Sequence, residues 1–95
     1  MGHFYIYKKE FDMNIIFVQG KIIDDIEFKF IINNKNNSIA LFKLKLLNKS
    51  IVKVKAYNEL ADYCYSKLNK GDIIFVEGYF NSDMEIIIEI INKSE

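Results

Sequence analysis

Lysine alternates with apolar residues in two neighbouring stretches, and no other pattern in the chain is better suited to chemistry. The stretches are IALFKLKLL, residues 39–47, and IVKVKAY, residues 51–57. Side chains alternate between the two faces of a strand, so each stretch predicts an apolar face toward a core and a lysine face outward. A row of ammonium groups could follow the phosphates of a nucleic acid. The competing interpretation is that lysines simply cover the solvent face of a soluble hairpin.

Three other positions could support catalysis, and the sequence argues against each. His3 is the only histidine and lies near a terminus. Asp24 and Asp25 form a carboxylate pair, but no nucleophile or phosphate-binding loop accompanies them, which favours a solvated turn. Cys64 lies on the apolar face of a predicted helix with no basic residue near it in sequence, which predicts a packed thiol. The sequence therefore predicts a protein that is not an enzyme.

The composition limits the class of protein. Ninety-five residues, half of them hydrophobic, with a formal net charge of zero, predict one globular domain with a modest core. The single cysteine excludes an intrachain disulfide, and without a Cys/His cluster we expect neither a structural zinc site nor any other cofactor. The apolar runs are shorter than a membrane span, so we expect no membrane association.

The residue usage also suggests where the protein is encoded. Every basic residue is lysine, isoleucine and asparagine are abundant, and proline is absent. These preferences are typical of an AT-rich genome. We therefore expect the protein in a plastid or another organelle with such a genome, and otherwise in the cytoplasm.

Five apolar, β-branched stretches separated by turn residues predict five strands. The segment DDIEFKFIINNKNNS predicts an extension of the first strand followed by a loose loop. One helix follows the third strand, because Asn58 suits an N-cap and Leu60, Ala61, Cys64 and Leu68 recur on one helical face. The predicted strands are residues 14–23, 39–47, 51–57, 72–80 and 84–91, and the predicted helix is residues 58–68.

Gly20 and Gly78 lie inside the first and fourth predicted strands, where a small sheet must bend to close on itself. The sequence therefore predicts an all-β fold with one helix, arranged as a five-stranded OB-fold barrel with the helix between strands 3 and 4.

Several motifs resemble the bacterial-type and organellar single-stranded DNA-binding protein family, including its small, tail-less plastid versions. The stretch NIIFVQG, residues 14–20, resembles the family's first strand. Leu60-Ala61 stands where the family opens its helix, and Lys70-Gly71 leads into IFVEG, residues 74–78, as in the family's fourth strand. Primosomal relatives share this fold.

The resemblance implies sequence-non-specific binding of single-stranded DNA in replication or repair. Tyr57 stands where the family carries a stacking aromatic, and Lys53 where it carries a basic residue. Cations would contact phosphates and the aromatic face would stack on bases. Strand alternation places further lysines on the same face. The predicted binding strip comprises Tyr57, Lys53, Lys55, Lys43, Lys45 and Ile51.

The chain also departs from the family pattern in ways that weaken the predicted binding. Ile51 replaces a stacking tryptophan, and the turn at residues 48–50 is short. The hairpin after Phe80 is trimmed, so its usual aromatic is lost unless Tyr79 or Phe80 substitutes. Two alternatives therefore stay open: an OB-fold protein-interaction or accessory module, primosome-like and with little DNA binding, and RNA binding on the same face.

The remaining expectations concern assembly and chain organisation. The family pairs its first strand with a copy of itself, and Ile15, Ile16, Phe17 and Val18 are apolar on both faces. A homodimer or homotetramer through these residues is therefore predicted. Residues 1–13 are interpreted as an extension that adds a strand or covers an edge, 14–92 as the OB-fold domain and 93–95 as a short tail. Because INKSE lacks the acidic tail by which family members recruit replication partners, we do not expect recruitment by that route.

Overall fold

The structure is a computed structural model, and it describes residues 4–8, 14–32 and 37–94. The five predicted strands and the helix between the third and fourth of them are all present, together with two further strands, β1 and β3. The elements are β1 (Phe4–Lys8), β2 (Asn14–Ile22), β3 (Glu27–Ile31), β4 (Asn37–Lys45), β5 (Ile51–Tyr57), α1 (Asn58–Lys67), β6 (Ile73–Phe80) and β7 (Ile86–Lys93).

The strands form one sheet in the order β1-β2-β6-β7-β5-β4-β3, and a second pairing of β2 with β4 closes the inner five into a barrel. The β5–β7 pair is parallel and the other pairs are antiparallel. The predicted five-stranded OB-fold barrel is therefore confirmed. β1 and β3 add to its edges, while the predicted division into extension, domain and tail stays a prediction.

Gly20 lies beside the point where the barrel closes. Just beyond it, β2 pairs with β4 through Lys21 opposite Lys45 and Ile22 opposite Leu44. A Cβ atom at Gly20 would lie 3.0 Å from the Leu44 Cβ and 3.2 Å from the Lys45 carbonyl oxygen. These contacts are tighter than ordinary van der Waals contacts, so a side chain here would force its neighbours to shift by a few tenths of an ångström, and glycine favours the close approach of the two strands.

The core lies inside the barrel and is built by alternation along the strands. The faces predicted to turn inward in β4 and β5 are buried there, and α1 covers one end of the barrel with Ala61 and Cys64. Burial of this apolar surface is the main favourable term in folding. The core side chains include Ile16, Val18, Ile22, Ala40, Phe42, Leu44, Leu46, Val54, Ala56, Ile74, Val76, Ile86 and Ile88.

The start of α1 differs from the prediction, because Asn58 is not the N-cap. Tyr57 occupies that position in an extended conformation, and its side chain makes no capping hydrogen bond. Asn58 has a φ of 55°, a left-handed conformation that asparagine tolerates better than most residues. Its Oδ1 accepts a hydrogen bond from the Ser38 N–H at 3.4 Å, so this side chain ties the helix to β4 instead.

Helix α1 has ten residues. Within residues 4–8, 14–32 and 37–94, no helix is long and apolar enough to cross a membrane.

Candidate nucleic-acid interface

The β4–β5 hairpin brings the six residues of the predicted strip onto one face. Their strands pair in antiparallel register, and all six side chains point away from the buried residues of the same strands. The lysines, Tyr57 and Ile51 therefore form one strip across the hairpin, which we call the strip from here on. The cross-strand pairs are Lys43 with Lys53, Lys45 with Ile51, Leu41 with Lys55 and Ile39 with Tyr57.

Lys55 differs from the other lysines of the strip because its charge is already paired. Its Nζ lies 3.1 Å from the Glu85 Oε1, and the two side chains are only 21% and 15% exposed. The hydrogen bond to Glu85 raises the pKa of Lys55, while hydrogen bonds from Asn81 and then Lys55 lower the pKa of Glu85. Both groups are thus charged at neutral pH, and Lys55 offers a phosphate less than Lys43, Lys45 or Lys53 do.

Acidic side chains stand beside the lysine pair at the centre of the strip. A cleft of about 350 Å³ is lined by Asp24, Asp25 and Glu27, from the β2–β3 connection and the start of β3, and by Glu85. Lys29, Lys43 and Lys53 line it too, so four carboxylates face three ammonium groups. We call this the acidic cleft. It partly neutralises the strip, a feature that the sequence did not reveal because these carboxylates lie far along the chain from the lysines.

The Asp24-Asp25 pair has a structural role at this cleft. The Asp24 Oδ1 accepts a hydrogen bond from the Lys43 backbone N–H at 3.1 Å, while Asp25 is exposed. The pair occupies a bend between β2 and β3, in agreement with the solvated turn predicted from the sequence. Asp24 thereby holds the connection against the β4 backbone and fixes one wall of the acidic cleft.

Tyr79 and Phe80 are the two residues that could replace the aromatic lost from the trimmed hairpin after Phe80. Of these two, only Tyr79 faces outward. Tyr79 pairs with Ile87, and Ile87 pairs in turn with Lys55, so Tyr79 lies in one cross-strand row with the strip. Phe80 pairs with the buried Ile86 and packs against the core. Sequence reasoning also missed Lys29, which pairs with Ile39 and extends the outward face onto β3.

Cys64 lies apart from the strip, in the helix that covers one end of the barrel. Cys64 is fully buried, and burial raises the pKa of its thiol to about 12, so it is a thiol and not a thiolate at neutral pH. The predicted packed thiol is confirmed. His3 lies outside the described residues, and among those residues no group of three or more histidine, cysteine, aspartate or glutamate side chains could hold a metal ion.

The four residues predicted to form an oligomer interface divide between the core and the surface. Ile16 and Val18 are buried inside the barrel, whereas Ile15 is half-buried and Phe17 is 37% exposed. Both edges of β2 are already paired, one with β1 and the other with β6. Pairing of β2 with its copy would therefore require β1 to move, and only the outward face of β2 is available as the strand stands.

That outward face is apolar. Phe17 of β2 pairs with Glu77 of β6, which pairs with Ile90 of β7, and Phe75 lies two residues along β6 on the same face. Phe17, Phe75 and Ile90 are all exposed and border a shallow groove of about 170 Å³. We call this face, on the other side of the barrel wall from the core, the apolar face.

Comparison with models of known protein families gave no match, and comparison with curated protein sequences gave none either. Solved structures do match. The single-stranded DNA-binding protein of Thermus aquaticus superposes with a TM-score of 0.77 at 17% identity, over 94% of this chain and 44% of that chain. The mitochondrial single-stranded DNA-binding protein of S. cerevisiae superposes with a TM-score of 0.73 at 17% identity, over 88% and 97%.

A third match carries the fold in its description. The second OB-fold domain of replication protein A from Methanococcus maripaludis superposes with a TM-score of 0.68 at 23% identity, over 83% of this chain and 82% of that one. The chain spans less than half the length of the Thermus chains. The resemblance predicted from the sequence motifs is thus confirmed at the level of the fold.

Proposed function

We propose that this chain binds single-stranded DNA without sequence preference through the strip. The observation that carries the proposal is the cross-strand pairing of Lys43 with Lys53 and of Lys45 with Ile51, on the face that ends at Tyr57. In OB folds this face of the second and third barrel strands, between the flanking loops, binds oligonucleotides. Similar folds occur in proteins described as single-stranded DNA-binding, which supports the same assignment here.

The strip supplies the two kinds of contact that such binding needs. Lys43, Lys45 and Lys53 are exposed and can each pair with a phosphate, whereas Tyr57 offers an aromatic face to a base. Tyr79 provides a second aromatic in the row that includes Lys55. The acidic cleft and the paired Lys55 weaken the phosphate contacts, so we expect modest affinity. The proposed role is in replication or repair, in an organelle with an AT-rich genome.

Titration into a fluorescent oligo-dT tests the proposal. With an oligomer of about thirty nucleotides, anisotropy should show binding at about 50 mM salt that weakens by about 200 mM. At about 0.7 per phosphate contact, Lys43, Lys45 and Lys53 together should contribute roughly −2 to the slope of log affinity against log salt. The double variant Lys43→Gln/Lys53→Gln should reduce the slope by roughly 1.4, whereas Lys70→Gln, on the turn before β6, should leave it unchanged.

Competitors separate this proposal from its alternatives. Duplex DNA should displace the oligomer poorly, because its stacked bases are not open to Tyr57. RNA that competes as well as DNA would move the assignment to RNA binding, since stacking and phosphate contacts serve both polymers. Absence of binding even at low salt would contradict nucleic-acid binding and favour the protein-interaction module.

We also propose that a second copy of the chain covers the apolar face. Phe17, Phe75 and Ile90 expose adjoining apolar side chains there, and closed symmetric assemblies commonly bury such patches. The wild-type mass should exceed that of a monomer in analytical ultracentrifugation, and Phe75→Glu should lower it. Phe30→Glu, at an exposed phenylalanine of β3, is the matched control and should not. A monomer mass at every concentration would contradict the proposal.

A further inference from the structure

A second groove opens at the opposite end of the β4–β5 hairpin from Tyr57. It has a volume of about 430 Å³ and lies between the β4–β5 turn and strands β2 and β6. Lys21, Lys45 and Lys49 line it, with Leu47 and Ile73 among the apolar lining residues. We call this the lysine groove.

The sheet register makes the lysine groove continuous with the strip. Ile73 of β6 pairs with Lys21 of β2, Lys21 pairs with Lys45 of β4, and Lys45 pairs with Ile51 of β5. One outward row therefore runs across four strands of the barrel. Lys45 belongs both to the strip and to the wall of the groove. An extended polymer bound along the strip would therefore reach the groove directly.

The charge of the lysine groove contrasts with that of the acidic cleft. Among the residues that the structure describes, no carboxylate lines the groove, whereas four line the cleft. The ion pairs formed by described residues use Lys29, Lys55 and Lys93, and none uses Lys21, Lys45 or Lys49. Because the whole chain has a formal net charge of zero, this is a local concentration of positive charge that attracts anions.

The apolar walls suit one kind of anion better than others. Leu47 is 62% exposed and Ile73 is 44% exposed, and both lie beside the lysines. A small inorganic anion would use only the charges. Single-stranded nucleic acid would use both features, because its phosphates pair with ammonium groups while its bases cover apolar surface.

We propose that single-stranded nucleic acid bound along the strip continues into the lysine groove, where Lys21 and Lys49 contact phosphates and Leu47 and Ile73 contact bases. This inference rests on the proposed function and extends it. The seven residues of β5 span about 20 Å, at about 3.3 Å per residue, so the strip alone accommodates only a short oligomer. The groove therefore makes the binding site longer than the strip, and its contribution should depend on oligomer length.

Two oligo-dT lengths and one double variant test this. Oligomers of about five and about sixteen nucleotides lie near the limits of the site sizes known for OB folds. For wild-type protein, the longer oligomer should bind more tightly and with a steeper salt slope. Lys21→Gln/Lys49→Gln should lower the slope for the longer oligomer by roughly 1.4 and leave the shorter oligomer unaffected. Lys67→Gln/Lys70→Gln, at the α1 end, is the matched control and should change neither.

The outcomes distinguish this inference from the proposed function. Wild-type protein that binds neither oligomer overturns both. If wild type binds both oligomers and the double variant binds them equally well, the inference about the groove is overturned and the proposed function is not. An equal loss of affinity for the two lengths also overturns the inference, because it would indicate a general charge effect. A last outcome combines two results: the longer oligomer binds the double variant as well as wild type, whereas poly-glutamate binds wild type but not the double variant. That outcome would assign the groove to an acidic protein and overturn the inference.

Discussion

Replacement of Gly78 by alanine is expected to lower the stability of the barrel sharply. A Cβ atom there would overlap the carbonyl oxygen of Ile87, and it would lie 2.8 Å from the Ile87 carbonyl carbon and 3.2 Å from the Ile88 Cα. These are backbone atoms of β7, which cannot rotate away as a side chain can. The pairing of β6 with β7 also shifts register between Glu77 and Gly78, so the two strands are already irregular where they come closest.

The size of the effect follows from the marginal stability of a small domain. At about 0.05–0.15 kcal/mol per residue, a chain of this length has a free energy of unfolding of roughly 5–14 kcal/mol. Overpacking against movable side chains typically costs about 1–3 kcal/mol, and a clash with backbone should cost more. At roughly 4–8 °C per kcal/mol, the melting temperature should fall by more than about 12 °C.

Thermal unfolding followed by far-ultraviolet circular dichroism measures this effect. Gly71→Ala is the informative control. Among the described residues, apart from its two chain neighbours, none has an atom within 4 Å of the added Cβ, so it is the φ of 98° that opposes the substitution. Backbone strain of this kind costs about 1–3 kcal/mol, so Gly71→Ala should be the milder variant. If Gly78→Ala melted within a few degrees of wild type, β6 and β7 would lie further apart than the structure places them.

Gly78 also shows how far the sequence alone predicts the fold. A glycine within an apolar strand predicts a bend, and alternation predicts which residues of β4 and β5 are buried, because both are local properties of a strand. The reason why glycine is required at this position is not local. It depends on which residues of β7 lie opposite Gly78 and how close their backbone comes, and the sequence pattern does not give the register of this strand pair.

The candidate site divides in the same way. The strip was predictable because Lys43, Lys45 and Lys53 alternate with core residues within one hairpin. The ion pair between Lys55 and Glu85 was not, because it joins β5 to the residue before β7, far along the chain. For the same reason the sequence did not place Asp24 beside Lys43. It predicted an added strand or an edge cover from residues 1–13, but it did not identify β2 as the partner of that strand.

The long-range contacts place carboxylates beside some of the exposed lysines and not beside others, and this affects where phosphates can bind. The face predicted from the sequence has lysines near carboxylates, and the groove at the end of the hairpin has lysines without them. Phosphate attraction at the centre of the strip should therefore be weaker than its lysines alone would provide. Bases carry no charge and can still stack on Tyr57, at the end of the strip away from the groove, so Tyr57 should be the principal contact that holds a short oligomer on the strip.

Tyr57→Ala is expected to weaken binding of oligo-dT by about 5- to 150-fold, which corresponds to roughly 1–3 kcal/mol for one lost stacking contact. Tyr57 ends β5 on the outward face, with its side chain exposed beside Ile39. Its side chain makes no capping hydrogen bond to α1, so truncation should change the melting temperature little. Tyr57→Phe keeps the aromatic face and should keep most of the affinity.

Salt dependence separates stacking from charge in this experiment. Tyr57→Ala should lower the affinity equally at each salt concentration and leave the slope unchanged, because no phosphate contact is lost. Tyr65→Ala is the matched control, since Tyr65 is an exposed tyrosine of α1 that packs against Phe28 with ring centroids 4.7 Å apart. Equal losses for Tyr57→Ala and Tyr65→Ala, or none for Tyr57→Ala, would show that nucleic acid does not stack at this end of the strip.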